Sequence, residues 1–93
     1  HAAFIGALDI GQTQLWAEDG VVSLAINGGF VEVSGNAVTI LSDGALSAED
    51  IDVDTARSDL AEAEAALSTN AEDANAAAAK TWAETRIQVG TAA

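Results

Sequence analysis

Asp50, Asp52 and Asp54 stand at the 1, 3, 5 spacing of a calcium-binding EF-hand loop. Such a loop also needs glycine at its sixth position and glutamate at its twelfth, where this chain has Thr55 and Ala61. The same carboxylates, just ahead of an alanine-rich amphipathic stretch, fit a helix N-terminus, where they cap amide groups and complement the macrodipole. His1 could chelate copper through its amine, but the chain has no second histidine to complete a stable site. It reads as an interface residue or a point of cleavage. Gly28-Gly29 lacks both the G-x-G-x-x-G and the G-K-S/T patterns and reads as a turn, not a phosphate cradle. No histidine lies beside a serine in the sequence, and the scattered carboxylates fit a solvated helix face better than a glycosidase pair. No catalytic activity is expected of this chain alone.

Chemistry of any kind would have to be positioned by 93 residues, enough for one small domain or one with an appendage. Fifteen acids against three bases give a formal charge of -12, which disfavours phosphate backbones and anionic lipid and favours a basic partner surface. There is no cysteine, which removes disulfides, thiolate nucleophiles and cysteine zinc sites. No apolar run approaches the ~20 residues of a membrane span, and no basic, apolar leader opens the sequence, so a soluble or peripherally attached protein is expected.

Composition changes sharply near Asp43 and Gly44. Seven of the eight glycines lie in residues 1–44, whereas 16 of the 22 alanines follow; all three bases and 11 of the 15 acids come after residue 42. We therefore expect two modules, a β-rich part over 1–46 and a helical hairpin over 47–93. In the first, Val22, Leu24 and Ile26 alternate with polar or small residues, as in a strand with one covered face. Asn27-Gly28-Gly29 is expected to turn the chain. Phe30 to Val33 forms the next strand, with Val31 and Val33 on one face and Phe30 and Glu32 on the other. Ser34-Gly35-Asn36 turns again, and Val38 to Leu41 is a further strand. Thr13 to Ala17 enters a Glu18-Asp19-Gly20 hairpin, with Phe4 to Ile10 as another apolar segment. The expectation is an antiparallel meander of four or five short strands that cannot cover its own apolar face.

The second module predicts a helix over Val53 to Leu67 with Ala56, Leu60, Ala63 and Leu67 on one stripe. Thr69 and Glu72 suggest a capping box for a second helix, which carries Ala74, Ala78 and Trp82 on one side and ends before Gly90. A buried alanine methyl contributes only about 0.8 kcal/mol, against roughly 1–2 kcal/mol per residue for fixing the backbone. Such a hairpin is expected to be weakly held and mobile.

Taken in order, the residues resemble the epsilon subunit of F-type ATP synthases, called delta in mitochondria. His1-Ala2-Ala3-Phe4 is similar to the family's G-H-A-P loop from its histidine onward, and Ala7-Leu8-Asp9-Ile10-Gly11 to the A-L-D-I-G of cyanobacterial and chloroplast members. Gly28-Gly29-Phe30-Val31-Glu32-Val33 matches a G-G-F-x-E-V strand, and Asn36 to Leu41 resembles N-x-V-T-V-L. Ile51-Asp52 followed by Ala56-Arg57 resembles the opening of the first C-terminal helix.

The resemblance implies an α+β fold, in which a partial antiparallel β-sandwich, with further strands ahead of His1, is followed by a C-terminal antiparallel helical hairpin. It implies a noncatalytic central-stalk subunit of a proton-translocating rotary motor, without cofactor or metal. Such a subunit couples the rotor to the catalytic head and can regulate ATP hydrolysis. The implied partners are the gamma subunit, the c-ring and catalytic-head subunits. Nucleic acid is not among them, and the membrane is met only through the complex. The place is the catalytic-head side of a thylakoid, bacterial plasma or mitochondrial inner membrane. On this resemblance His1, Phe4, Gly28, Gly29 and Phe30 are expected at the subunit interface, and Arg57, Leu60, Lys80, Trp82 and Arg86 on regulatory helices. Some details depart from the family. Ala3 replaces proline, and the arginine after Ile51-Asp52 is delayed to Arg57, which argues against nucleotide sensing. The acidic arm also makes electrostatic inhibition by the helices weak or absent in expectation. An acidic adaptor that docks a basic protein is the alternative.

Overall fold

A computed structural model describes residues 4–17 and 20–92. Two long strands, β1 (Phe4–Ala17) and β2 (Gly20–Ser34), pair antiparallel along their whole length, from Phe4 opposite Val33 to Ala17 opposite Gly20. Glu18 and Asp19 of the expected hairpin lie outside the described residues. On its other edge β2 carries β3 (Ala37–Leu41) and β4 (Ala45–Ser47). A short 3-10 turn (Ala48–Asp50) leads to α1 (Val53–Thr69) and α2 (Ala74–Thr91). The fold is α+β, an antiparallel sheet followed by a helical hairpin, as the sequence reading held.

The sheet has four strands, within the expected four or five, but its first two are longer than the sequence suggested. Phe4–Ile10 and Thr13–Ala17 are one strand, and Asn27-Gly28-Gly29 does not turn the chain back but bends β2 while it continues. Gly28 and Gly29 take φ of 76° and 125°, the left-handed side of backbone space that L side chains avoid. The ladder compensates from the neighbouring edge. β3 and β4 pair with β2 in one register, with Leu41 opposite Phe30 and Ala45 opposite Ile26, so Ser42-Asp43-Gly44 is a break facing the bend. Across it, Asn27 N–H donates to the Gly44 carbonyl at 2.7 Å and Ser42 Oγ donates to the Gly28 carbonyl at 2.5 Å. Local turn propensity therefore yields to hydrogen bonds from a third segment, leaving a continuous strand where a reversal was expected. Gly35, at φ 58°, supplies the two-residue turn between β2 and β3 as expected.

The helices also refine the reading. Asp52 caps α1, its carboxylate accepting from the Thr55 amide at 3.1 Å, and Ala56 and Ala63 of the expected stripe are buried. Thr69 is the last residue of α1, not the cap of α2. That cap is Asp73, whose carboxylate accepts from Ala76 N–H at 3.0 Å. The packed face of α2 is Ala76, Ala83, Thr85 and Val89, whereas Ala74 and Ala78 point outward. Four consecutive alanines, Ala76 to Ala79, give no amphipathic phase, so the helix rotation is set by the larger residues beyond them. Nor does α2 end before Gly90, which lies within it. A Cβ there would come within 2.7 Å of Val53 and 3.0 Å of Ile51, so the glycine is where α2 approaches the start of α1 closely.

α2 crosses the sheet as well as packing on α1, touching β1, β2, β4 and the 3-10 turn. Beneath it Gly11, Thr13 and Leu24 are half-buried and Ile26 is fully buried, while Gln12 and Gln14 on the alternate positions are exposed. Ile26 and Val89 are the largest fully buried side chains among the described residues, so the core is thin. The radius of gyration is 15.0 Å, against about 12 Å for a compact chain of this length, and the molecule is a slab 48 × 29 × 13 Å.

Candidate functional site

Of the expected interface residues, those that the structure describes, Phe4, Gly28, Gly29 and Phe30, lie on the half of the sheet toward β3. Residues 4–8 of β1, 29–34 of β2 and 38–41 of β3 pair there, and side chains alternate between two faces. Phe4, Leu8, Val31, Val33, Val38 and Ile40 share one face. Ile5, Ala7, Phe30 and Leu41 share the other, with Glu32 and Thr39. Both faces are therefore apolar. Phe4 and Phe30 are each 57% exposed, Val38 58%, and Ile5 and Leu41 64%. Single exposed apolar residues are ordinary, but a contiguous set on both faces of one sheet end marks a surface made for burial.

A groove of about 610 Å³ lies at the glycine bend, lined by Ala7, Leu8, Gly29, Phe30, Leu41, Ser42 and Asp43. Its floor depends on Gly29, because a Cβ there would overlap the Leu41 carbonyl oxygen and come within 2.7 Å of Ser42 Cα. Gly29 and Phe30 therefore meet in one groove, with Gly28 at the adjoining bend. Phe4 is displaced from them, its ring lying over Gly6 on the opposite face, and His1 lies outside the described residues. Ile5 and Leu41 were missed. Their signal was the apolar pairs Phe4-Ile5 and Ile40-Leu41, since adjacent apolar residues in a strand place one on each face.

The five helical residues divide in two. Trp82 and Arg86 come together: the guanidinium carbon sits 5.3 Å from the indole centroid, and Arg86 Nη2 donates to Asp59 Oδ2 at 3.0 Å. Leu60 is half-buried on α1 and Lys80 half-buried on α2. Arg57 is exposed and only approaches Asp54, at 3.9 Å one turn away on its own helix. Asp59 is one of the scattered carboxylates that the sequence assigns to a solvated helix face. It lies 27 residues from Arg86, and no local pattern announces the pair.

Among the ionisable groups Asp52 is held below its ordinary value of 3.8, because the Thr55 backbone amide, and then its hydroxyl, hydrogen-bond to the ionised carboxylate. This supports the capping role that the aspartate spacing suggested. No described helix is long and apolar enough to cross a membrane.

Residues 1–48 match the family model of the ATP synthase delta/epsilon chain, beta-sandwich domain. The ATP synthase epsilon chain of Nitratidesulfovibrio vulgaris (strain DP4) is 46% identical over 57 residues, covering 61% of this chain and 42% of that one. That of Geotalea daltonii is 44% identical over 68 residues, 72% of this chain and 49% of its own. That of Acaryochloris marina is 43% identical over 67 residues, again 72% and 49%. The chain thus spans about half the length of these relatives. In solved structures, a chain of the Euglena gracilis mitochondrial ATP synthase, OSCP/F1/c-ring in rotational state 1, shares the fold with a TM-score of 0.57 and 24% identity. That match covers 97% of this chain and 54% of that one.

Proposed function

This chain belongs to the ATP synthase delta/epsilon family, and on that premise we propose that it acts as the central-stalk subunit of a proton-translocating rotary ATP synthase. Its role is noncatalytic. The sheet docks the chain on the gamma subunit and beside the c-ring, and the helical hairpin is the element through which ATP hydrolysis can be regulated. The complex, not this chain, meets the energy-transducing membrane.

One observation carries the reading. The sheet end bearing Phe4, Ile5, Phe30, Val38 and Leu41 is apolar on both faces, which suits an element sandwiched between two neighbours. An adaptor with a single basic partner would need one such face, and a charged one. The likeness of residues 1–48 to the family's β-sandwich domain points the same way, since a sandwich strand layer buries one face by construction. The alanine composition of the hairpin led us to expect a weakly held arm, and the alanine-lined contact between α1 and α2 supports that reading.

Titrating the purified chain against its cognate gamma subunit tests the proposal. Phe30→Asp and Leu41→Asp place a charge in the groove and should each weaken binding about 30-fold, as a central interface residue does. Arg57→Ala, on an exposed helical position, should leave both binding and assembly unchanged. Failure to bind gamma, with tight binding to an isolated basic protein instead, would move the chain to the adaptor class.

A further inference from the structure

Arg86 joins α2 to α1 and stacks on an indole of its own helix. Its side chain is only 12% exposed. Nη2 donates to Asp59 Oδ2 on α1 at 3.0 Å, Nε reaches the Trp82 carbonyl at 3.4 Å, and the guanidinium lies 5.3 Å from the Trp82 ring centroid. Trp82 in turn lies against the sheet. A Cβ on Gly44 would sit 3.4 Å from its six-membered ring, and Gly44 belongs to the break that hydrogen-bonds to the bend of β2. Of the two ion pairs among the described residues, Arg57–Asp54 stays within α1, and only Arg86–Asp59 joins two elements.

The surroundings raise the importance of this cluster. The buried contact between the helices is made mainly of alanines, Ala56 and Ala63 on α1 with Ala76 and Ala83 on α2, and alanines neither interdigitate deeply nor define one register. Fixed orientation must come from elsewhere. A planar, forked guanidinium that pairs with one helix while stacking on an indole supplies direction as well as attraction.

We propose that Arg86 is a clasp that keeps the helical hairpin closed and seated on the sheet, by joining Asp59 of α1 to Trp82, whose ring rests on Gly44. The clasp is a property of the chain itself and does not depend on what the sheet docks against. When it is released, α1 separates from α2 and Trp82 lifts from Gly44, while the helices, each with its own aspartate cap, stay helical.

The test uses the full chain in a Trp16→Phe background, because Trp16 is 78% exposed and would dominate emission. Acrylamide quenching of Trp82 then reads its accessibility, with far-ultraviolet circular dichroism as the measure of helix. Asp59→Asn is the decisive variant, because Asp59 carries no part of the stacking on Trp82. Since Asp59 is 44% exposed, solvent screening limits the expected gain to about a two- to fivefold larger open fraction, with helix content retained. Arg86→Met should give at least that, and the double variant no more than Arg86→Met alone. A Trp82 response to Arg86→Met but none to Asp59→Asn overturns the proposal, because Arg86 would then only stack. Loss of helix in Asp59→Asn also overturns it, because a clasp releases the hairpin without melting it.

Discussion

Phe30 and Leu41 on the sheet leave 57% and 64% of their surface in solvent, while Ala56 and Ala83 in the hairpin leave none. The sheet holds large apolar side chains and exposes them; the hairpin holds small ones and hides them. Each departs from what isolated stability would ask, in opposite directions. A sheet with exposed apolar faces on both sides gains most of its burial energy only on meeting partners, at about 25 cal/mol per Å² of apolar surface removed from water. The hairpin completes its own packing but gains little by it, so capping aspartates, one close glycine contact and one ion pair decide how it sits. A region of exposed large apolar side chains is thus joined to a region held by small buried ones.

The sharpest way to break this comparison is Gly29→Val. The new side chain would strike the Leu41 carbonyl and Ser42 Cα at a φ of 125°, so a loss on the order of 3–5 kcal/mol is expected, confined to the pairing of β2 with β3. Amide hydrogen exchange should show lost protection in 30–41 with α1 and α2 preserved; a variant that keeps those amides protected would mean the bend tolerates a side chain. Next is Gly90→Ala. Overpacking against Val53 and Ile51 costs roughly 1–3 kcal/mol, and better helix propensity returns up to about 1 kcal/mol, so a net loss of about 1–2 kcal/mol should appear in urea denaturation. A stabilised variant would show that the start of α1 yields. Asp73→Ala removes the α2 cap and should cost about 1 kcal/mol, read as fraying of residues 74–77 in hydrogen exchange.

The smallest effect concerns pH. Asp52 has a folded-state pKa below its ordinary 3.8, so its ionised form favours the folded helix. That contribution is complete above the ordinary value and disappears as pH falls through the lower, folded-state one. Circular dichroism of wild type and Asp52→Asn should therefore converge at the acid end of that window and differ above it. A constant difference down to the lowest pH would assign the effect of Asp52 to something other than its charge.

Much of this was legible because it is local. The Asp52 cap, the stripe Ala56-Leu60-Ala63-Leu67 and the glycine turn at Gly35 each follow from a few neighbouring residues and were read correctly. Asn27-Gly28-Gly29 was misread because turn residues do not say whether a third segment will hydrogen-bond to them, and here Ser42 and Gly44 do. The rotation of α2 was hidden by alanines that bear no phase. Gly90 was misread because a helix terminus and a close helix contact ask for the same residue. In the candidate interface, Gly29 and Phe30 were identified from a resemblance, while Ile5 and Leu41 became visible only when pairing showed which neighbours share a face. The Asp59–Arg86 pair joins two helices, and its partners are related only by tertiary structure.

β2 places its own consequences at both ends of the molecule. Its first half lies beneath α2 and its second half forms the exposed apolar end, so one uninterrupted ribbon connects that end to the helical hairpin. A displacement imposed at Phe30 has no flexible linker in which to dissipate before it reaches Ile26. It passes instead through the glycine bend, whose stiffness therefore sets how much of a displacement at the exposed apolar end reaches the residues beneath α2.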